Sequence, residues 1–401
     1  MTERTYYQKP YEKNWEAVVT AVLPHKKLWA VTLDSTLCYP EGGGQPGDRG
    51  VCGSYTIIDT IKGGDEVLHL FADKPKLKVG EKVSCTLDWD FRFDYMQQHT
   101  GQHILSGVMY RELGIDTVSV HQGETYTTIE VDRDEVSGAE IELIEHHANS
   151  MITRNLEIWC DEKSDEEFDA GTLRRAPKVK GMIRLVTIDD CDIVACGGIH
   201  TQRTGEVGLI SCIGVEPIRG RVRLVFMIGK RAYRDYREKN LIISELTNLY
   251  SAKQHEIVTQ AQQKVEQIKE LQCQISMIEK HYAQKLINSA LASADEVQGV
   301  KLVVLDLTGE PSGLLKIISK TLPEGVSFVI CLLQENSPST VQWLIASGGS
   351  ASIDFNTVRS ELFSLIGAKG GGRPPLWQGV GTKVEGKESF LAAFTEIQKR
   401  S

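Results

Sequence analysis

In the segment QHTGQHILSG, His99 and His103 lie four residues apart, a spacing that on a helix sends both imidazoles from one face, one turn apart, as a metal site requires. In CGGIHTQRTGEVG, Cys196 and His200 repeat the spacing across a Gly-Gly pair that allows a sharp turn between two ligands. Two histidines alone also fit an ordinary helix surface. Adding a thiolate and a third imidazole makes a borderline-soft set that suits zinc and does not suit magnesium or calcium. His99, His103, Cys196 and His200 are therefore read as the ligands of one Zn2+ per chain. Four ligands close a tetrahedron and serve a structural zinc equally well, since no position is left for water. Catalysis requires one of them, Cys196 or His200, to bind weakly or leave, or the metal to take a fifth ligand, and spacing leaves both uses open. Nearby Cys191 reads as a small buried residue of the strand leading to Cys196.

The elements that must bring these clusters together suggest an α+β multidomain chain. Residues 1–90 read as short strands (AVVTAVL, LWAVTLD, VCGSYTIIDTI, EVLHLF, EKVSCTLDW) between glycine-rich turns, a small N-terminal β-barrel. Its loop PEGGGQPGDRG, Pro40 to Gly50, is either a tight turn or a backbone that approaches a ligand closely because no side chains intervene. Residues 91–235 read as an α+β zinc domain. One helix carries Met96, His99, His103, Ile104 and Val108 to a stop at Gly114, a second spans about 134 to 154, and strands bracket Cys196 to His200. Residues 236–292 place Val258, Ala261, Val265, Ile268, Leu271, Ile275, Ile278, Tyr282 and Leu286 at steps of three and four, a long helix. It is either a packed linker or a coiled-coil dimer seam, with Gln272 and Glu279 interrupting a strict heptad. Residues 293–401 alternate strands and helices as a small α/β domain. Near its end, in GAKGGGRPPLWQGVG, Lys369 and Arg373 flank three glycines, a loop that is either structurally neutral or offers amides and cations to phosphates.

With 41% hydrophobic and 25% charged residues, the 401-residue chain is an ordinary globular protein of two or three domains. The start MTERTYYQKPYEKNW has no apolar h-region and no apolar run of about 18 residues occurs, which predicts a cytoplasmic protein with no membrane contact. Nine cysteines without framework spacing point to reduced thiols and metal ligation. A net charge of −9 excludes non-specific nucleic-acid binding by the whole surface, so any RNA contact is local. Two stretches could supply it: Arg174, Arg175, Lys178, Lys180 and Arg184, and then Arg219, Arg221, Arg223, Lys230, Arg231, Arg234 and Arg237. Alternating Arg219, Arg221 and Arg223 would share one strand face.

HTGQHIL followed by CGGIHTQRTGEVG resembles the editing domain of alanyl-tRNA synthetases and their freestanding relatives. The loop EGGGQPGDRG, the lead-in DWDFRFDYMQQ, the order of the parts and the tail GGGRPPLWQGVG extend the resemblance, over essentially the whole chain, to the longer freestanding alanyl-tRNA editing proteins. The resemblance implies hydrolysis of the ester joining serine or glycine to alanine tRNA, with zinc orienting the aminoacyl end or activating water. It also implies catalytic roles for His99, His103 and Gln122 (in SVHQGE), and substrate contacts for Gly43, Gly44, Gln45 and Gln122. Editing is needed because a hydrophobic pocket cannot strongly reject an isostere carrying an extra hydroxyl. No room for an aminoacylation domain precedes the editing core, so the expected enzyme corrects charged tRNA without charging it. ATP binding attaches only by analogy with the synthetases. Ile199 replaces a threonine common in the synthetases, which puts pocket shape in question more than metal binding.

Two other readings stand beside this one: a tRNA-binding module whose zinc is only structural, and a metallophosphoesterase. The C-terminal part resembles the domain shared with DHH-type phosphoesterases. Their Asp-rich motifs have as nearest match Glu145, His146 and His147, which read as the polar face of a helix. The expected partners are mischarged alanine tRNA, through Arg219, Arg221, Arg223, Arg231, Arg234, Lys369 and Arg373, and a second copy of the chain through the long helix or C-terminal domain.

Overall fold

The computed structural model describes residues 2–164, 167, 173–175 and 181–400, and divides into two compact units, Met1–Leu246 and Thr247–Ser401. Lys178 and Lys180 of the first basic stretch lie outside the described residues. In class the chain is α+β.

The first unit opens with β1 (Glu3–Arg4), β2 (Asn14–His25), β3 (Leu28–Leu33), β4 (Ser35–Thr36), β5 (Gly50–Cys52), β6 (Tyr55–Ile57), β7 (Asp59–Gly63), β8 (Glu66–Phe71) and β9 (Lys82–Leu87). β1 and β4 pair in parallel, and the other seven form a sheet in the order β6-β5-β9-β2-β3-β8-β7. Strand β2 serves two neighbours, lying first against β9 up to Val18 and then against β3 from Val19, with an irregularity between Val19 and Ala21. The two end strands of the sheet, β6 and β7, are separated in the chain by Ile58 alone. Alternation builds the core: Val83, Cys85 and Leu87 of β9 turn inward onto Val19, Val31, Leu33 and Phe71, while Lys82, Ser84 and Thr86 face out.

Helix α1 (Trp89–Leu113) begins where the Asp88 carboxylate accepts the Phe91 N–H and ends at Gly114, whose φ of 60° closes the last turn. A surface helix keeps one polar face in water. This one is buried on all sides from Tyr95 to Met109, including Gln97, Gln98, His99, Thr100, Gln102, His103 and Ser106. Its first turn is locked to the glycine-rich loop by Arg92, which is fully buried, pairs with Asp48, and donates to the carbonyls of Leu37 and Pro10.

Around α1 follow β10 (Thr117–Gln122), β11 (Thr127–Val131), α2 (Gly138–Thr153), β12 (Ile158–Ser164), β13 (Met182–Ile188), β14 (Asp192–Ala195), β15 (Ile210–Ile218), β16 (Arg221–Ile228) and α3 (Lys230–Tyr250). Two antiparallel sheets result, β10-β11-β16-β15 and β12-β13-β14. Ile104, Leu105, Val108 and Met109 of α1 share one apolar cluster with Ile144 and Ala148 of α2 and with Leu224 and Phe226 of β16.

The single helix expected over 236–290 is broken. Ser251 takes a left-handed φ of 50° directly after α3, and α4 (Ile257–Ser293) starts afresh beyond it. In the second unit α4 is followed by β17 (Asp295–Val297), β18 (Val300–Asp306), α5 (Leu314–Ile318), β19 (Phe328–Ser337), β20 (Thr340–Gly348), α6 (Phe355–Ile366), β21 (Lys369–Arg373), β22 (Leu376–Gly381) and α7 (Lys387–Arg400). Their sheet runs β17-β18-β19-β20-β22-β21, with β18 and β19 its one parallel pair among the described residues. The segment from Lys369 to Arg373 is thus an edge strand, not a loop. On α4, Val258, Val265, Ile268, Leu271, Ile275 and Ile278 are exposed, and burial begins only at Ala283, Ile287 and Leu291. No described helix is long and apolar enough to cross a membrane.

Candidate metal centre

Helix α1 presents His99 and His103 one turn apart, and the loop leaving β14 supplies Cys196 and His200. One ligand atom from each of the four lies within 4.8 Å of the others. The Cys196 Sγ sits 3.3 Å from His99 Nε2 and 3.4 Å from His200 Nε2. The second nitrogen of every ring is already engaged. His99 Nδ1 is 2.9 Å from Gln45 Oε1, His103 Nδ1 is 3.1 Å from Asp192 Oδ2, and His200 Nδ1 is 3.4 Å from Thr100 Oγ1. An amide, a carboxylate and a hydroxyl therefore fix three ring orientations and leave three Nε2 atoms for a cation, the usual outer support of histidine ligands. The donor set fits a metal ion.

The turn between Cys196 and His200 is held as firmly. Arg184 donates to the carbonyls of Cys196 and Gly198, Tyr7 donates to Gly197, and the Ile199 N–H reaches the same Gln45 Oε1 that serves His99. A Cβ on Gly198 would stand 1.9 Å from His99 Cε1, so the loop can approach the helix only as glycine. Ile199 itself packs with Tyr6, Tyr39 and Met96 and does not line the adjoining cavity.

Charge follows geometry. Burial pushes the Cys196 thiol up, but the imidazoles of His99, His103 and His200 outweigh it and bring the thiol well below its ordinary value. Burial pulls His103 down, yet Cys196 and Asp192 push it up to about 9. His200 is held at about 3 by burial and by His99. Burial likewise raises the Asp192 carboxyl, and it ends below the usual range because His103 and Arg174 hold its charge. The pocket is thus built for a thiolate and a cation, and binding a metal there displaces a proton.

Above the cluster opens a cavity of about 690 Å³, walled by Gly43 and Gly44, by Thr117 to Val120 of β10, and by Arg174, Arg175 and Arg184. Gly43 and Gly44 have φ of 63° and 87°, backbone that a side chain would strain. Gln45 does not line the cavity, although its Nε2 is buried without a partner. Gln122 shares a strand face with Val120, is 4% exposed, and has neither amide atom satisfied. Unsatisfied buried amides of this kind are rare, and Gln122, like Gln45, does not line the cavity.

The remaining expected residues scatter. Arg231 is corrected as an RNA contact: it is 6% exposed, pairs with Asp94, and donates to the carbonyl of Gly123, so its guanidinium is occupied inside the fold. Arg221 and Arg223 form ion pairs with Glu130 and Glu216, Arg219 occupies a left-handed turn with φ of 49°, and Arg234, Lys369 and Arg373 are exposed. Glu145 accepts the Cys212 N–H and His147 faces Glu112, and neither joins a group of metal ligands among the described residues. Asp192 and Thr100 were not foreseen. Asp192, four residues before Cys196 in an otherwise apolar strand, was the available signal.

The family model described as the threonyl and alanyl tRNA synthetase second additional domain matches residues 183–225, which contain Cys196 and His200. The alanyl-tRNA editing protein AlaX-L of Pyrococcus horikoshii is 30% identical, with 99% of this chain and 99% of that protein covered. The alanine–tRNA ligases of Pyrococcus abyssi and Methanoculleus marisnigri are each 28% identical over 94% and 97% of this chain. The chain spans only 42% of either ligase's length. The matched length, the His-His and Cys-His clusters and the glycine-rich loop lead to one assignment: the chain belongs to the family of the alanyl-tRNA editing protein AlaX-L.

Proposed function

We propose that this protein is a zinc-dependent deacylase that acts in trans on mischarged alanine tRNA, removing serine or glycine and leaving the charging step to a separate ligase. The observation that carries it is the ligand cluster at the floor of the cavity, with all three histidines oriented by a second partner. AlaX-L, matched end to end, is named for alanyl-tRNA editing, and the ligases matched over part of their length charge the same tRNA.

His99, His103, Cys196 and His200 would hold the ion. Bound zinc supplies a Lewis acid for the ester carbonyl or a water of lowered pKa. The chain's own part is placement. Gly43 and Gly44 let backbone approach the aminoacyl group, Gln122, whose buried amide has no partner, is proposed to turn toward it, and the Gln45 Oε1 keeps His99 aimed. Water adds to the ester carbonyl, the ribose hydroxyl leaves, and free amino acid and uncharged tRNA result. Arg219, Arg221, Arg223, Arg234, Lys369 and Arg373 are proposed as tRNA contacts; the ion pairs of Arg221 and Arg223 are exposed and weak enough to exchange for phosphate.

The contiguity of β6 and β7 supports closure of the N-terminal sheet into a barrel. The exposed apolar stripe of α4 supports pairing with a second copy as a coiled coil. Residues 1–90, 91–235, 236–292 and 293–401 are proposed as barrel, editing core, helical linker and C-terminal accessory domain of a cytoplasmic enzyme. A second reading, a tRNA-binding module with structural zinc, has one observation in its favour: four ligands fill a tetrahedron.

The test is deacylation of seryl-, glycyl- and alanyl-tRNA made on the same alanine tRNA by zinc-loaded protein. The first two should be hydrolysed faster than the third, and Cys196→Ala should abolish the activity while circular dichroism is unchanged. Equal rates on all three overturn the proposal. An inactive protein that unfolds on zinc removal supports the structural module.

A further inference from the structure

We propose that Arg175 is the residue through which the cavity binds a phosphate of the substrate's acceptor strand. The assignment rests on the deacylase reading above and adds a ligand group to it, since an aminoacyl ester carries no negative charge of its own.

Among the described residues the wall of the cavity includes three arginines and no aspartate or glutamate, in a chain whose net charge is −9. Such a lining favours an anion. The three guanidiniums are not equivalent. Arg174 is 10% exposed in its side chain and is spent on Asp192, with Nε 2.7 Å from Oδ1 and one terminal nitrogen 3.1 Å from Oδ2. Arg184 is spent on the Cys196 and Gly198 carbonyls at 2.8 and 2.9 Å and lies over the Tyr7 ring. Removing either would disturb the metal centre before it disturbed any ligand.

Arg175 is exposed and makes neither hydrogen bond nor ion pair with any described residue, yet it lines the same cavity as His99, His103 and Cys196. Its neighbour Arg174, tied to buried Asp192, anchors the backbone that carries it. A free guanidinium offers two parallel donors that match two phosphate oxygens, where an ammonium would offer only a point charge. The ligand chemistry that satisfies it beside an ester-binding pocket is the phosphodiester of a terminal nucleotide.

The experiment crosses two enzymes with two substrates. Wild-type protein and Arg175→Ala, both zinc-loaded, are assayed on the serine ester of adenosine 5′-monophosphate and on the serine ester of adenosine, which lacks the phosphate. Arg175→Ala should lower kcat/KM about tenfold on the phosphorylated ester, through KM, as expected for one lost charged hydrogen-bonding contact. That loss should disappear on adenosine ester, and Arg175→Lys should recover part of it. Equal losses on both esters, or none on either, overturn the assignment. If the wild type hydrolyses neither ester, the deacylase reading is decided by the seryl-tRNA assay above and the Arg175 assignment by the binding measurement that follows. Affinity for an uncharged acceptor-stem minihelix, measured across salt concentrations, then tests the contact directly. Arg175→Ala should weaken it about tenfold and reduce the salt slope by about 1. An unchanged affinity and slope overturn the assignment, and a change matched by free inorganic phosphate competing at equal strength overturns the acceptor strand as its source.

Discussion

The two units fill their interiors differently. In the second, Gln334 and Ser347 are the buried polar side chains among the described residues, and the rest of its core is aliphatic and aromatic apart from Cys331. The first buries Arg92 with Asp48, His103 with Asp192, and the amides of Gln45, Gln98 and Gln122. Polar groups taken from water without partners cost several kcal/mol each, so a fold driven only by stability would resemble the second unit. The first gives most of them a partner, and in the His99, His103, Cys196 and His200 cluster the second bond of each imidazole fixes its ring. The charged side chains of the second unit stay at its surface, where Lys369 and Arg373 occupy an exposed edge strand.

The comparison breaks if the polar core of the first unit can be altered cheaply. Asp48→Asn strips the buried Arg92 of its counter-ion and should destabilise the first unit by about 3–5 kcal/mol. Hydrogen exchange read unit by unit should rise in α1 and leave β18 to β20 as they were. Uniform exchange in both would mean the interiors are not energetically distinct.

Acid should find the same asymmetry. His69 donates from Nδ1 to the Val31 carbonyl, meets the Thr36 hydroxyl at Nε2, and is held by burial at about 4, below its ordinary 6.5. The unfolded chain thus binds this proton more readily, so the stabilisation is complete above pH 6.5 and is lost as the pH falls toward 4. The loss is on the order of 3 kcal/mol. Urea unfolding at pH 7 and pH 4.5 measures it, and His69→Gln should flatten the difference.

Smaller still is the effect of a single supporting bond. Asp192→Asn keeps the shape but loses the charge facing His103, and zinc affinity in competition with a chelator should fall roughly 10- to 100-fold. An unchanged affinity would mean that His103 is aimed by packing alone.

The clustering of His99, His103, Cys196 and His200 was legible because its signal is local: four-residue spacing on a helix, and a Gly-Gly turn. Their supports were not, because Gln45, Thr100 and Asp192 reach the rings only through contacts between segments far apart in the chain. Gln45 drew attention through the glycine-rich motif as a substrate contact, whereas its Oε1 braces His99 and Ile199. Arg231 was misread since charge in a sequence carries no sign of burial, and its partner Asp94 lies on another helix. The continuous helix across 236–290 failed at Ser251, where a one-residue change of backbone hand leaves no mark in apolar periodicity.

Gly198 carries a consequence for how this protein can vary. Every single-base change in a glycine codon that is not silent introduces a side chain or a stop, and any side chain begins with the Cβ that would meet His99 at 1.9 Å. The position therefore has no tolerated neighbour one mutational step away unless the helix moves as well. A library of variants selected for an intact four-residue cluster should return glycine here as a fixed point even where adjoining positions drift.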